Sequence, residues 1–234
     1  MYTLTIDTST QSLGVAILKD NEVLGEIITN IAKNHSVRLM PAIDYLLREV
    51  GLEPKQLSKI VVAKGPGSYT GVRIGLTTAK TLAWSLKIPV VGVSSLEGLA
   101  YRGLLTNSLI CPFFDARRGL IYTGLYEVNG DSLVLVEKEQ NILIEDWLKQ
   151  LEKMERNILF ISPDIQKHRQ LIKERLSSYA EIPEMPYHIM NPSDLALAAI
   201  DKVEDQVHTL TPNYLRLAEA EAKWLKAQED KANG

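Results

Sequence analysis

Hydrophobic and polar residues alternate over the first thirty positions in three short runs that are separated by polar turns. The runs are "YTLTI", "LGVAILKD" and "EVLGEIIT". Short β-rich runs broken by polar turns are typical of a meander of strands. The chain therefore opens with three predicted strands.

The pattern then changes to the period of an α-helix over residues 35–50. The apolar side of this helix is wider than one contact with a sheet needs. It comprises Leu39, Met40, Ile43, Leu46, Leu47 and Val50. Pro41 lies inside the pattern, and proline is tolerated in a first helical turn but not much deeper. This places the expected start of the helix between Val37 and Leu39.

After the buried strand "KIVVA" comes "GPGSYTGVRIGLTTAKTLAW", which has four glycines where a strand gives way to a helix. The segment matches neither the Walker pattern nor Gly-x-Gly-x-x-Gly, so phosphate binding by either route is weakly indicated. One stripe of this helix is apolar, and a neighbouring stripe of mostly small residues is Gly71, Gly75, Thr78 and Leu82. Glycines four apart let another helix approach closely. Two readings stay open: a partner covers the small-residue stripe, or both stripes are buried within one domain.

The second half of the chain repeats this plan. Three strand-like runs again precede alternating helices and strands, and an aspartate ends the first strand of each half, at Asp7 and Asp115. Strands alternating with helices after a hairpin pair predict a mixed sheet covered by helices. We therefore expect an α/β protein with two similar domains, at 1–105 and 106–234. A terminal helix is also expected within residues 215–234.

Composition narrows the class of protein. The chain has 234 residues, of which 45% are hydrophobic and 24% charged. Its net charge of −3 argues against a large basic surface that binds nucleic acid. A lone cysteine, Cys111, excludes an internal disulfide. Neither a secretion signal nor a run of membrane-spanning length is evident, so a cytoplasmic protein without membrane contact is expected.

Several motifs in their order along the chain resemble the bacterial TsaB family, formerly YeaZ, of the actin/hexokinase/Hsp70-like ATPase superfamily. They are "IDTST", "HSVRLMP", "GPGSYTGVRIG", "VSSLEGLA", "FFDARRGLIY" and "PNYLR". The resemblance implies two tandem actin-like (ribonuclease H-like) subdomains, each a mixed five-stranded sheet with flanking helices.

The same resemblance implies a function and partners. A TsaB protein is expected to be a non-catalytic scaffold that binds its larger paralogue TsaD and helps recruit the ATPase TsaE. Together they attach threonylcarbamoyl to the tRNA adenosine next to the anticodon. Alone it is expected to be a homodimer, to need no cofactor because its partners use the ATP, and to meet tRNA only through the complex.

TsaB proteins associate through the first two helices, which implies an interface on this chain. The residues expected there are Leu39, Met40, Ile43, Leu47, Gly71, Gly75, Thr78 and Leu82.

Catalytic features of the superfamily are incomplete in this sequence. The turn after the first strand keeps an aspartate and hydroxyls but no glycine, and we interpret Asp7, Thr8, Ser9 and Thr10 as vestigial nucleotide contacts. Two histidines that bind metal in TsaD correspond here to Ser95 and Leu99, so no metal is expected. The alternatives are an actin-fold ATPase or a glycoprotease-like metalloenzyme that acts alone.

Overall fold

A computed structural model describes residues 1–31 and 34–215. Within these residues the strands are β1 Tyr2–Asp7, β2 Ser12–Lys19, β3 Glu22–Asn30, β4 Lys59–Ala63, β5 Val90–Val93, β6 Leu109–Asp115, β7 Leu120–Asn129, β8 Ser132–Leu143, β9 Ile158–Ile161 and β10 Ala180–Glu181. The α-helices are α1 His35–Glu49, α2 Tyr69–Leu86, α3 Ser95–Ala100, α4 Ile144–Glu152, α5 Ile165–Leu176 and α6 Pro192–Ala198. The terminal helix expected within 215–234 lies outside the described residues except for Leu215.

The first sheet has the order β3-β2-β1-β4-β5. Its first three strands are antiparallel, whereas β4 pairs in parallel with both β1 and β5. Helices α1 and α2 pack on one face of this sheet around a single apolar cluster that includes Leu4, Ile6 and Ile60. The opposite face is covered by α6, which explains why β2 is buried along almost its whole length.

The second sheet repeats the first, in the order β8-β7-β6-β9-β10. Its outer face packs on α4 and α5 around the fully buried Trp147. Cys111 belongs to the same cluster, where its sulfur accepts a hydrogen bond from Trp147 Nε1 at 3.3 Å. The predicted fold class, two mixed five-stranded sheets with flanking helices, is confirmed.

The chain does not stay with the second sheet after β10. Helix α6 packs against β1 and β2, and Asp205 N donates to Val90 O at 2.9 Å along the edge of β5. Farther on, Asn213 N donates to Lys64 O at 2.7 Å. The division near residue 105 separates the two sheets, but residues 192–213 return to the first one.

Helix α1 begins earlier than the sequence suggested. Asn34 caps it by accepting a hydrogen bond from Ser36 N at 3.1 Å, and Pro41 lies inside the helix. Pro41 is exposed, and the carbonyl opposite its missing N–H belongs to Val37, whose side chain is also exposed. Because water reaches this side of the helix, the proline is accommodated deeper than the first turn.

Candidate functional site

A cleft of about 690 Å³ lies between the two subdomains. The β1–β2 turn and the start of α2 form one wall, and the β6–β7 turn and the start of α5 form the other. Both turns follow the first strand of their sheet, so the repeated topology brings them face to face. A ligand held by both subdomains would bind in this cleft.

The four residues interpreted as vestigial nucleotide contacts divide into two pairs. Ser9 and Thr10 line the cleft, whereas Asp7 and Thr8 do not. Of the four, Asp7, Thr8 and Ser9 are buried and Thr10 is partly exposed. Asp7 Oδ1 accepts a hydrogen bond from Ser9 N at 2.8 Å. Burial raises the pKa of the Asp7 carboxyl above its ordinary value, although the hydrogen bonds from Ser9 act in the opposite direction. The geometry gives Asp7 the role of holding the turn in shape.

The glycines of α2 accommodate that turn. Thr8 Oγ1 donates to Gly71 O at 2.7 Å. A Cβ atom on Gly71 would collide with the carbonyl oxygen of Thr8, and one on Gly75 would collide with Thr8 Oγ1. Both glycines are buried, because the chain's own β1–β2 turn occupies their side of the helix. The prediction that Gly71 and Gly75 receive a partner helix is therefore wrong.

The remaining residues expected at the interface are mostly internal as well. Leu39, Ile43 and Leu47 lie in the core of the first subdomain, and Leu82 packs against that core. Thr78 is partly buried, and Met40 is exposed. Side chains enclosed by the core are not available to a partner of the folded chain.

The outward sides of α1 and α2 carry a different set of apolar residues. We call this surface the outer helical face; its residues are Val37 (66% exposed), Met40 (47%), Tyr45 (59%) and Trp84 (65%). Exposed apolar side chains mark protein contact surfaces where they form a contiguous patch. Val37, Tyr45 and Trp84 were missed, although each falls off the buried stripe of its helix and so could have been identified from spacing alone.

The second turn of the cleft has its carboxylate already paired. Asp115 lies 2.9 Å from Lys167 Nζ and 3.4 Å from His168 Nε2, and Lys167 also contacts Asp164 at 2.8 Å. Partial burial acts to raise the pKa of Asp115, but the hydrogen bonds and charges of Lys167 and His168 outweigh it and lower the pKa. An ammonium group thus sits where a cation would otherwise meet Asp115.

The two positions at which the resemblance implies the TsaD histidines, Ser95 and Leu99, are buried. Ser95 Oγ accepts a hydrogen bond from Gly65 N at 3.1 Å, and Leu99 belongs to the cluster between the two sheets. Over residues 1–31 and 34–215, no three His, Cys, Asp or Glu side chains are grouped so that they could hold a metal ion. In the same residues, no helix is long and apolar enough to span a bilayer.

A hydrogen-bond network centred on Glu139 links the two subdomains beside the cleft. Glu139 of β8 accepts hydrogen bonds from Tyr126 Oη at 2.6 Å, from Asn213 Nδ2 at 3.2 Å and from Ser94 Oγ. Nearby, Tyr214 stacks on Tyr69 with ring centroids 5.5 Å apart. Sequence reasoning missed this network, because its residues are far apart along the chain and follow no periodic pattern.

Comparison with known proteins decides the family. A family model described as "TsaD: tRNA N6-adenosine threonylcarbamoyltransferase" matches residues 22–224. The tRNA threonylcarbamoyladenosine biosynthesis protein TsaB of Bacillus subtilis is 51% identical over 229 residues, which cover 98% of this chain and 100% of the relative. The chain belongs to the TsaB family. TsaB of Escherichia coli is 30% identical over 145 residues, covering 61% of this chain and 62% of the relative.

Solved structures agree with this assignment. A Pseudomonas aeruginosa protein described as similar to peptidase YeaZ superposes with a TM-score of 0.79 at 25% identity, covering 92% of this chain and 99% of that one. YeaZ from the same species has a TM-score of 0.76 at 24% identity over the same shares of both chains, which shows the same fold. The TsaB family thus shares the duplicated architecture seen here.

Proposed function

We propose that this chain is a non-catalytic scaffold subunit in the formation of threonylcarbamoyladenosine next to the tRNA anticodon. In this role it binds a TsaD-type paralogue and helps recruit a TsaE-type ATPase. The observation that carries the proposal is the 51% identity, over nearly the whole chain, to a TsaB named for this biosynthesis. The proposal places the chain in the cytoplasm with its partners and brings it to tRNA only through the complex.

The cleft supports a role without chemistry of its own. Lys167 pairs with the carboxylate of Asp115, and burial encloses that of Asp7. At the positions of the TsaD histidines, a serine hydroxyl is engaged by a backbone N–H and a leucine is in the core. These contacts favour an accessory subunit over the alternatives of an ATPase or a metalloenzyme that acts alone. We assign the chain no cofactor and leave ATP to the partner subunits.

The outer helical face is the surface that we assign to the paralogue. Trp84 and Tyr45 are large aromatic side chains whose exposure is above one half, and tryptophan and tyrosine are the residues that most often dominate binding energy at interfaces. The same surface would pair two copies of the chain when the paralogue is absent.

The experiment is a calorimetric titration of a TsaD-type paralogue with the wild-type chain and with the separate variants Met40→Asp and Trp84→Asp. Because an aspartate buried at an interface loses its hydration, each variant should weaken binding by about tenfold or more. The matched control is Leu105→Asp, since Leu105 is fully exposed and lies on neither helix. A wild-type chain that does not bind would overturn the proposed function, and equal binding by all variants would remove the outer helical face from it.

A further inference from the structure

The β1–β2 turn, residues 8–11, contacts the starts of both helices of the outer helical face and lines the cleft beside them. Ser68, which caps α2, donates its backbone N–H to Ser9 O at 2.7 Å. His35, the first residue of α1, places Nε2 2.9 Å from Thr10 O. All four of these residues also line the cleft. A single turn is thus shared by the cleft wall and both helix starts.

The β1–β2 turn and α2 are packed too closely to slide past one another. A Cβ on Gly67 would collide with the carbonyl oxygen of Ser9, in the same way that one on Gly71 would collide with that of Thr8. The hydrogen bond from Thr8 Oγ1 to Gly71 O adds a fixed point inside the first turn of the helix. Packed elements of this kind move together between discrete arrangements and do not deform continuously.

We propose that the β1–β2 turn couples the cleft to the outer helical face, so that cleft width and partner affinity are linked. This inference rests on the proposed function and adds a regulatory contact to it. Coupling between two sites is reciprocal. If the partner binds best at one cleft width, a substitution that favours another width must weaken partner binding.

The test introduces a bulky side chain on the wall of the cleft opposite the β1–β2 turn. Ala116 lines the cleft and belongs to the second subdomain, so Ala116→Trp places a bulky ring between the two walls without changing a residue of either helix. We expect it to weaken binding of a TsaD-type paralogue about fivefold or more, the range typical of coupled sites. The control is Ser178→Trp, an exposed position of the same subdomain that does not line the cleft, and it should stay within about twofold of wild type.

A double-mutant cycle shows whether the effect passes through the turn. Thr8→Val keeps the shape of the side chain but removes its hydrogen bond to Gly71 O. In that background the effect of Ala116→Trp should fall to about twofold, because coupled residues are not additive. Unchanged affinity of Ala116→Trp, or an equal loss in both backgrounds, would overturn the coupling while leaving the proposed function intact. A wild-type chain that does not bind would overturn both.

Discussion

Thr8 explains why α2 has glycine at positions 71 and 75. The sequence shows a stripe of small residues, but a stripe alone does not reveal which neighbour lies against it. Here the neighbour is a turn of the same chain, whose backbone carbonyl and hydroxyl occupy the space that side chains would need. The neighbour that a glycine packs against therefore depends on the three-dimensional structure. Helical spacing, in contrast, predicts one apolar stripe on α2, and Val72, Leu76 and Ala79 are the buried residues of that stripe.

Replacing Gly71 or Gly75 by alanine should lower the free energy of unfolding by different amounts. Although alanine favours a helix by about 1 kcal/mol over glycine, Gly75→Ala should lower the free energy of unfolding by about 1–2 kcal/mol. Gly71→Ala should cost more, about 2–4 kcal/mol, because its Cβ meets a backbone atom that has no freedom to rotate away. Urea denaturation of both variants measures these changes.

The control for this prediction is Thr8→Ala. It removes the hydroxyl that obstructs position 75 but leaves the carbonyl that obstructs position 71. In that background Gly75→Ala should become neutral or stabilising, and Gly71→Ala should remain destabilising. Additive effects at both positions would show that Thr8 is not the cause.

Among the elements, α6 was the hardest to place from sequence. Local patterns predicted most strands and helices correctly, because period and turn residues are properties of short segments. The return of α6 to the first sheet depends on contacts such as Pro192 against Gly14, which are remote along the chain. The early start of α1 was missed because Pro41 was expected to lie in the first turn, although the position of Val37 off the buried stripe indicates that water reaches its carbonyl.

Helix α6 also carries a buried acid that makes stability depend on pH. Asp194 Oδ2 accepts a hydrogen bond from Asn191 N at 2.9 Å and lies 3.9 Å from Arg102 Nη1. Burial raises the pKa of Asp194 from 3.8 to about 6, although both of these contacts lower it. The folded chain thus holds a proton that the unfolded chain has already released between these two values.

We expect this proton to be visible in unfolding experiments. The contribution of this proton to the free energy of unfolding is complete below pH 3.8, falls as pH rises and is lost above about pH 6. The total change in the free energy of unfolding is about 2–3 kcal/mol. Asp194→Asn keeps an oxygen to accept from Asn191 N but does not titrate. The difference in free energy of unfolding between wild type and this variant should therefore shift against wild type from pH 4 to pH 7. Parallel curves over this range would contradict the raised pKa.

At the scale of the whole molecule, a duplicated fold has two surfaces with different uses. The cleft faces turns whose carboxylates are enclosed or paired, whereas the outer helical face presents exposed aromatic side chains. The sequence indicated both regions, since the Asp-containing turns and the first two helices were recognised from their motifs. It did not identify which helix residues face outward, because several of the expected ones form the core.

The central claim is that this chain serves tRNA modification through its surface and not through the aspartate that ends its first strand. The most direct test reconstitutes threonylcarbamoyladenosine formation with the TsaD-type and TsaE-type partners, ATP, tRNA and the threonylcarbamoyl donor. Two variants are compared, Asp7→Asn, whose amide oxygen can still accept from Ser9 N, and Trp84→Asp on the outer helical face. The account predicts that Asp7→Asn supports modification within about twofold of wild type and that Trp84→Asp lowers it about tenfold or more. Loss of modification with Asp7→Asn, together with normal modification by Trp84→Asp, would contradict it.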